Sequence, residues 1–223
     1  TGADVLGQPL DTYEDKLETD PKKRHELPYS DGFAATLDRD GHRVWVQSFG
    51  GPEDDTVAGV AIDDAGRVIV AATVRGSLLV NNATLVAKGA ADGLVVWWSR
   101  DGTPGSAVLL GGLDFDGLRA IVAIDQRVVV GGFFSGALPI AGRTLSAGGG
   151  DDAFIAALDD GGKVVALWQA GGDGREEITA LAAIPGGFVA GVAHTARAMI
   201  GGVAVAAPSD PMTGAAIVVR PLP

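Results

Sequence analysis

The stretch Asp92-Gly-Leu-Val-Val-Trp-Trp98 has three counterparts elsewhere in the chain. The four copies follow one another at steps of 61, 60 and 61 residues, and the other three are Asp31-Gly-Phe-Ala-Ala-Thr-Leu37, Asp152-Ala-Phe-Ile-Ala-Ala-Leu158 and Thr213-Gly-Ala-Ala-Ile-Val-Val219. A second marker keeps the same period, a glycine pair that occurs as Gly50-Gly51, Gly111-Gly112 and Gly171-Gly172. Two markers that share one period indicate an internal repeat of about sixty residues.

Each repeat is predicted to contain four short strands joined by turns. Thr56–Ile62 is an apolar run rich in β-branched residues, which predicts a buried strand. Asp63-Asp-Ala-Gly66 is a tight-turn sequence, so the chain is expected to return along Arg67–Val74 as a hairpin. Leu94–Trp98 and Ser106–Leu110 then complete a four-stranded meander before the next Gly-Gly pair.

This layout is typical of one blade of a β-propeller. Helical periodicity is scarce after Asp31, and turn signals arrive about every ten residues, which favours an all-β fold. We therefore predict an all-β protein, a β-propeller or partial propeller built from four-stranded repeats of about 60 residues. Gly76–Gly89 and Gly136–Gly148 fall between second and third strands, and each predicts a small accessory hairpin on one edge of its blade.

The repeat divides the chain into two parts. Residues 1–30 are densely charged and are expected to form a surface arm, whereas residues 31–223 form the repeat domain. Its units lie near 31–51 (partial), 52–112, 113–172 and 173–223. Such a ring is incomplete, and propellers close by combining strands from both termini in one sheet. The arm, a second or partner chain, or a longer parent chain would each complete it, and we rank partner or parent completion first.

The composition limits the possible partners. The 223 residues carry a formal charge of −11, so the field around the fold repels nucleic-acid phosphates and anionic lipid headgroups. The apolar runs are short, and none approaches the ~20 residues needed to cross a bilayer. We therefore expect neither nucleic-acid binding nor membrane insertion. The chain has no cysteine, which excludes disulfides and thiolate metal sites.

Two regions of the sequence resemble a known repeat. They are Phe134-Ser-Gly-Ala-Leu-Pro-Ile followed by Ser146–Asp159, and Leu37–Gly51. Both look like the SBBP-type repeat of bacterial β-propellers, and the resemblance covers roughly residues 31–220. It implies the propeller architecture and a secreted, periplasmic or cell-surface location, but it carries no shared active site. The chain departs from the repeat pattern at Ala157, where the family usually has lysine.

Acidic residues follow each Gly-Gly pair and form a candidate acidic face. In a ring they would gather on one face or at the mouth of the channel, where they could attract cations or a basic partner. The residues are Asp54, Asp55, Asp114, Asp116, Asp173 and Glu176. Solvated loop charge is the alternative that we favour. Asp38–Gly41 and Asp114–Gly117 also resemble the front of a calcium loop, although an ordinary hairpin turn is the preferred interpretation.

Two tryptophans are candidate ligand-binding residues. Trp97 and Trp98 are consecutive in a strand, so their side chains point to opposite faces, and one of them is expected at the surface. An exposed indole would stack on a sugar ring. His25, His42 and His194 lack metal-ligand spacing, and the sequence shows no catalytic triad or phosphate-binding loop. We therefore expect no catalytic residues, no cofactor and no metal other than the calcium alternative.

These patterns are compatible with three classes of function. The first is a non-enzymatic interaction or structural module outside the cytoplasm, which presents blade loops and an open sheet edge to a protein partner or another copy. The second is a carbohydrate- or calcium-binding propeller. The third is an enzyme whose residues are scattered over several blades around a channel. The first is our prediction, and the other two are alternatives.

Overall fold

The computed structural model describes residues 29–208 and 214–222, and this part of the chain is all-β. It contains seventeen strands and no helix, which confirms the predicted fold class. The strands are β1 (Gly32–Leu37), β2 (Arg43–Phe49), β3 (Thr56–Ile62), β4 (Val68–Val74), β5 (Ser77–Val80), β6 (Ala83–Val86), β7 (Asp92–Trp98), β8 (Pro104–Leu110), β9 (Asp116–Ile124), β10 (Arg127–Ile140), β11 (Arg143–Leu158), β12 (Val164–Gly172), β13 (Glu176–Ile184), β14 (Gly187–His194), β15 (Ala198–Ile200), β16 (Val203–Val205) and β17 (Gly214–Pro221). Within these residues, a helix long and apolar enough to cross a membrane is not found.

The strands form four main sheets that follow one another along the chain, and the hairpin β5–β6 lies beside them. The first sheet is β1–β2, and the second has the order β3-β4-β7-β8. The third sheet contains β9 to β12 in sequence order and is extended beyond β12 by β15 and β16. The last sheet has the order β13-β14-β17. Neighbouring strands within each sheet are antiparallel, as expected for a meander.

A uniform four-stranded repeat is not confirmed, because the four sheets hold two, four, six and three strands. The third sheet gains two strands because Gly171 and Gly172, at the end of β12, pair with Met199 and Ala198 of β15. The strands described between residues 29 and 222 also form no closed ring. Closure into a propeller therefore stays a prediction. The charged arm at residues 1–30 lies almost wholly outside the described residues.

The accessory hairpins occur where the sequence predicts them, and a third one is present. Ser77–Val86 folds as β5–β6, the far ends of β10 and β11 pair from Ala137 to Ser146, and β15 pairs with β16. Each hairpin reaches back to the Gly-Gly pair at the end of the preceding sheet. Gly50 exchanges two backbone hydrogen bonds with Leu79, at 3.2 and 2.8 Å. The hairpins therefore link each sheet to the one before it.

The sheets stack face to face, and three apolar cores fill the spaces between them. The first core joins Ala34, Trp45 and Phe49 of the first sheet to β4 and β7 of the second. The second core joins the opposite faces of β4 and β7 to β10 and β11. The third core joins β10 and β11 to β13 and β14 of the last sheet. Strand β7 and the second half of β11, residues 153–158, are consequently covered on both faces, which explains their nearly continuous apolar sequences.

One strand is placed as predicted but is not buried. Thr56–Ile62 forms β3 with the expected bounds, yet Val57, Val60 and Ile62 are exposed. β3 is an edge strand of its sheet, and the first sheet, which faces it, contains two strands in the described part of the chain. Its apolar composition alone therefore does not predict its burial, which depends on the neighbouring sheet.

Candidate functional site

The six residues of the predicted acidic face fall into two groups of three. Asp54, Asp114 and Asp173 are exposed in the loops that enter the second, third and last sheets. Asp55, Asp116 and Glu176 are buried. Burial of the second group does not fit solvated loop charge, the interpretation favoured from the sequence, and a common acidic face stays a prediction. Asp55 directly precedes the first strand of its sheet, and Asp116 and Glu176 begin theirs. All three side chains are buried beneath the loops that follow the glycine pairs.

The buried aspartates bind backbone groups from two directions. Asp55 accepts hydrogen bonds from the N–H groups of Gly51 and Arg75, both at 3.0 Å. Asp116 repeats the arrangement with the N–H groups of Gly112 at 2.5 Å and Ser135 at 3.2 Å. Each carboxylate thus connects the glycine loop to the second strand of its sheet, at Arg75 just after β4 and at Ser135 beside the irregularity within β10. Hydrogen bonds to a charged acceptor are among the stronger ones in proteins, so this contact holds the loop in place.

Glu176 occupies the same position in the last sheet, where the backbone N–H of Gly172 lowers the pKa of its carboxyl group, but neither oxygen makes a hydrogen bond of the kind seen at Asp55 and Asp116. Both of its carboxylate oxygens are buried without a hydrogen-bond partner. The N–H of Thr195, which corresponds to those of Arg75 and Ser135, donates instead to the carbonyl of Arg175 at 3.1 Å. His194 pairs with Glu176 across the strands, where the earlier sheets have the apolar residues Val74 and Phe134. The third copy of the motif is therefore chemically different from the first two.

Burial shifts the protonation of all three carboxyl groups in the same direction. Burial raises the pKa of Asp55 to about 7 and that of Asp116 to about 6, although the bonded backbone N–H groups oppose the shift. Burial, followed by repulsion from the charge of Asp152, raises the pKa of Glu176 to about 7. These groups consequently titrate close to neutral pH.

The two predicted ligand-binding tryptophans are both buried. Trp97 and Trp98 do point to opposite faces of β7, but each face is covered by a neighbouring sheet. The expectation that one of them lies at the surface is therefore wrong. Trp98 instead packs against Trp45 and Phe49, with ring centroids 6.2 and 6.4 Å apart. Strand β7 belongs to an interior sheet, so neither indole is available for stacking on a sugar.

The two turns that resemble calcium loops differ in structure. Asp38, Asp40 and His42 form the one group of three potential metal ligands found in the described residues, and all three are exposed. Asp38 already accepts hydrogen bonds from the backbone N–H groups of Asp40 and His42, at 2.9 and 2.8 Å, as in an ordinary turn. In the second turn, at residues 114–117, Asp114 is exposed and Asp116 is buried, so their carboxylates lie in different environments. Calcium binding stays a prediction.

A cleft of about 250 Å³ opens above Glu176, between the third and last sheets. Its walls come from the loop before β9, from β9, β10 and β11, and from the start of β13 and the end of β14. The lining side chains that matter below are Phe115, Arg119, Phe133, Asp151, Arg175, Glu176 and Glu177. None of these except Glu176 was a candidate from the sequence. The sequence signal that would have found them is a residue that differs from its counterparts in the other repeats. Arg119 is such a residue, since Ala58 and Thr179 stand at the equivalent positions.

Charge pairs and aromatic contacts organise the rim of this cleft. The Nε of Arg119 lies 3.1 Å from Oε2 of Glu177, and the Nε of Arg175 lies 3.6 Å from Oδ2 of Asp151. The guanidinium of Arg119 also lies 4.5 Å from the ring centroid of Phe133. Phe133 in turn contacts Phe115, with centroids 5.4 Å apart. The rim is therefore rich in hydrogen-bond donors and acceptors although its charges are paired.

No family model matches the chain, and no curated protein sequence matches it.

The two ends of the stack of sheets expose apolar side chains. The first end, here called the N-terminal face, consists of Phe33, Leu37 and Val44 on β1 and β2, all exposed. The second end, the C-terminal face, includes Val189 and Ala193 on β14, which are half-buried. Neither face contacts another sheet among the described residues. The sequence predicts an open edge, but these faces become visible only in the stacked arrangement.

Proposed function

We propose that this protein is a non-enzymatic interaction module whose end faces take up a further sheet of the same repeat, supplied by a second copy of the chain. The assembled particle would be a larger β-propeller. The observation that supports the proposal is the contrast between the N-terminal face and its equivalents in the interior of the stack. Phe33 and Leu37 are 41% and 51% exposed, whereas the equivalent Leu94 and Trp98 are fully buried.

The same contrast recurs one repeat further along the chain. Phe154 and Leu158 of β11 stand at the positions of Phe33 and Leu37, and both are fully buried against the second sheet. In each interior case the covering surface is the preceding sheet in the chain. Among the described residues the β1–β2 sheet has no preceding sheet, and it therefore displays a surface that the repeat normally covers.

The C-terminal face supplies the complementary surface. Val189 of β14 is equivalent to Ile69 and Val129, both of which are fully buried against the next sheet along the chain. Because the two faces are the two halves of one interior contact, seating the last sheet of one copy on the first sheet of another would bury both. Such head-to-tail contacts close into a ring when the rotation permits. Propellers typically have four to eight blades, and two copies would bring together eight sheets.

The proposed location outside the cytoplasm rests on the resemblance to SBBP-type repeats, and the strongly negative net charge of −11 agrees with a partner other than nucleic acid. The edge of β1 that pairs with no other described strand adds main-chain hydrogen-bonding groups to the same surface. Sheet edges and apolar faces together are the features through which β proteins associate.

The test is sedimentation velocity of the full chain over a range of concentrations, with the variant Leu37→Asp. We expect a two-copy particle, and we expect Leu37→Asp to raise its dissociation constant by at least about tenfold, because a charge would be desolvated in the contact. The matched control is Val86→Asp, an equally exposed apolar residue on β6, away from both end faces. A chain that stays monomeric at all concentrations would overturn the proposal, as would equal weakening by Val86→Asp.

A further inference from the structure

The cleft above Glu176 exists at one sheet junction and is closed at the equivalent junction one repeat earlier. Between the second and third sheets, Thr73 accepts a hydrogen bond from the N–H of Leu118 at 3.1 Å and donates to its carbonyl at 3.2 Å. Gly117 follows the buried Asp116 there and has no side chain to hold the sheets apart. Between the third and last sheets, Phe133 stands in place of Thr73 and Glu177 in place of Gly117. The second junction therefore opens into a cleft.

The floor of the cleft carries an acceptor that the fold does not use. Glu176 is fully buried and neither oxygen has a hydrogen-bond partner, whereas Asp55 and Asp116 each bind two backbone N–H groups. A buried carboxyl group without hydrogen-bond partners costs free energy, and the cost is larger when the group is charged. A bound molecule that donates hydrogen bonds to Glu176 would recover that cost.

The rim selects the class of molecule. Arg119 is paired with Glu177 and Arg175 with Asp151, so a strongly charged ligand would have to compete with existing ion pairs. A guanidinium has five N–H donors and a carboxylate about four acceptor sites, so paired groups keep capacity for further neutral hydrogen bonds. Phe115, which is half-buried, provides an apolar wall beside them. These features fit a neutral molecule with many hydroxyl groups and one apolar face.

We propose that this cleft binds a neutral carbohydrate, with Glu176 accepting hydrogen bonds from sugar hydroxyls and Arg119 donating to the ring or hydroxyl oxygens at the rim. The volume of about 250 Å³ is slightly below the ~300–1,000 Å³ range of small-molecule pockets, which suits a single sugar unit. The aliphatic face of the sugar would lie against Phe115. The cleft shares Ala193 with the C-terminal face, but the proposed sugar contacts, Glu176, Arg119 and Phe115, belong to neither end face.

The experiment is isothermal titration of the full chain with glucose, galactose, mannose and N-acetylglucosamine as probes. We expect at least one of them to bind, and we expect Glu176→Gln and Arg119→Ala each to weaken that binding by about tenfold or more. Arg119 is largely exposed, so its replacement leaves the fold intact even where the buried Glu176→Gln does not. The matched control is Asp55→Asn, at the equivalent buried position two sheets away, which should bind the sugar as the unaltered chain does.

Two results would overturn the carbohydrate proposal. The first is the absence of a sugar-specific contact in the cleft. Either none of the four sugars binds the unaltered chain, or Arg119→Ala and Glu176→Gln bind the sugar as tightly as the unaltered chain does. The second is that the zwitterions glycine or phenylalanine bind at the cleft while the sugars do not, because that result would assign the site to charged rather than neutral ligands. Sedimentation of the same variants separates this outcome from any failure of the assembly proposal.

Discussion

At the scale of single residues, the repeat uses buried carboxylates as connectors. Asp55 and Asp116 each bind backbone N–H groups on two different segments, and so fix the glycine loop to the second strand of the sheet or to the residue after it. Burial makes the charged form of each carboxyl group less favourable, and the shifts in pKa toward 7 and 6 record that cost. The connectors therefore make stability depend on pH.

We expect the free energy of unfolding to fall as the pH rises from about 4 to about 7. The pKa of Asp116 is raised from 3.8 to about 6 by burial, so between those values the folded state holds more protons than the unfolded state. The stabilising contribution is thus complete at low pH and is lost as the pH rises through the folded pKa. Asp116→Asn should reduce this pH-dependent loss by on the order of 2 kcal/mol, measured by urea unfolding at pH 4 and pH 7.

The control for this measurement is Asp64→Asn, an exposed residue of the turn between β3 and β4. It should leave the slope of stability against pH nearly unchanged. A free energy of unfolding that increases between pH 4 and pH 7, in the unaltered chain and in Asp116→Asn alike, would contradict the role given to the buried carboxyl groups.

At the scale of elements, the Gly-Gly pairs serve as docking points for the accessory hairpins. The backbone carbonyls of Ser77, Ala137 and Arg197 lie directly against Gly51, Gly112 and Gly172, where any Cβ atom would overlap them. A Cβ atom at the first glycine of each pair would likewise overlap a carboxylate, that of Asp31, Asp92 or Asp152. Glycine is required at these positions by close backbone approach.

Gly112→Ala should therefore destabilise the protein by about 1–3 kcal/mol, because the added methyl group would push the hairpin end of β10 away from the second sheet. The measurement is the midpoint of thermal or urea unfolding. The control is Gly161→Ala, in an exposed turn where the nearest atom to an added Cβ is an oxygen of Asp159 at 3.4 Å. Equal effects of the two substitutions would show that the close approach does not stabilise the fold.

The sequence predicts strand positions better than it predicts their surroundings. Thr56–Ile62 and Leu94–Trp98 were located correctly because β-branched runs bounded by turn residues are local signals. Burial of Val60 and exposure of Trp97 or Trp98 were predicted wrongly, because burial depends on which sheets stack on a strand. The cleft was missed for the same reason. Its residues come from two sheets, and only comparison of each position with its counterparts sixty residues away identifies them.

At the scale of the whole molecule, stability is expected to vary along the stack of sheets. Each interior sheet is covered on both faces, but the first sheet is covered on one face only. In repeat proteins, stability is approximately the sum of each unit's own contribution and its contacts with neighbours. The first sheet has one neighbour among the described residues, so it should open most easily. This expectation differs from that for a closed ring, in which every sheet has two neighbours.

Hydrogen exchange of the full chain would measure this gradient directly. In dilute solution we expect the backbone amides of β1 to exchange at least about tenfold faster than those of β7 and β11, since a difference of ~1.4 kcal/mol in opening free energy gives a factor of ten. Among the described residues β1 has one hydrogen-bonded strand neighbour whereas β7 and β11 have two, so the comparison measures the missing strand and the missing sheet together. Raising the protein concentration should slow β1 selectively as copies associate, whereas Leu37→Asp should abolish that slowing. Uniform protection of all three strands in dilute solution would instead mean that the N-terminal face is already covered within a single chain.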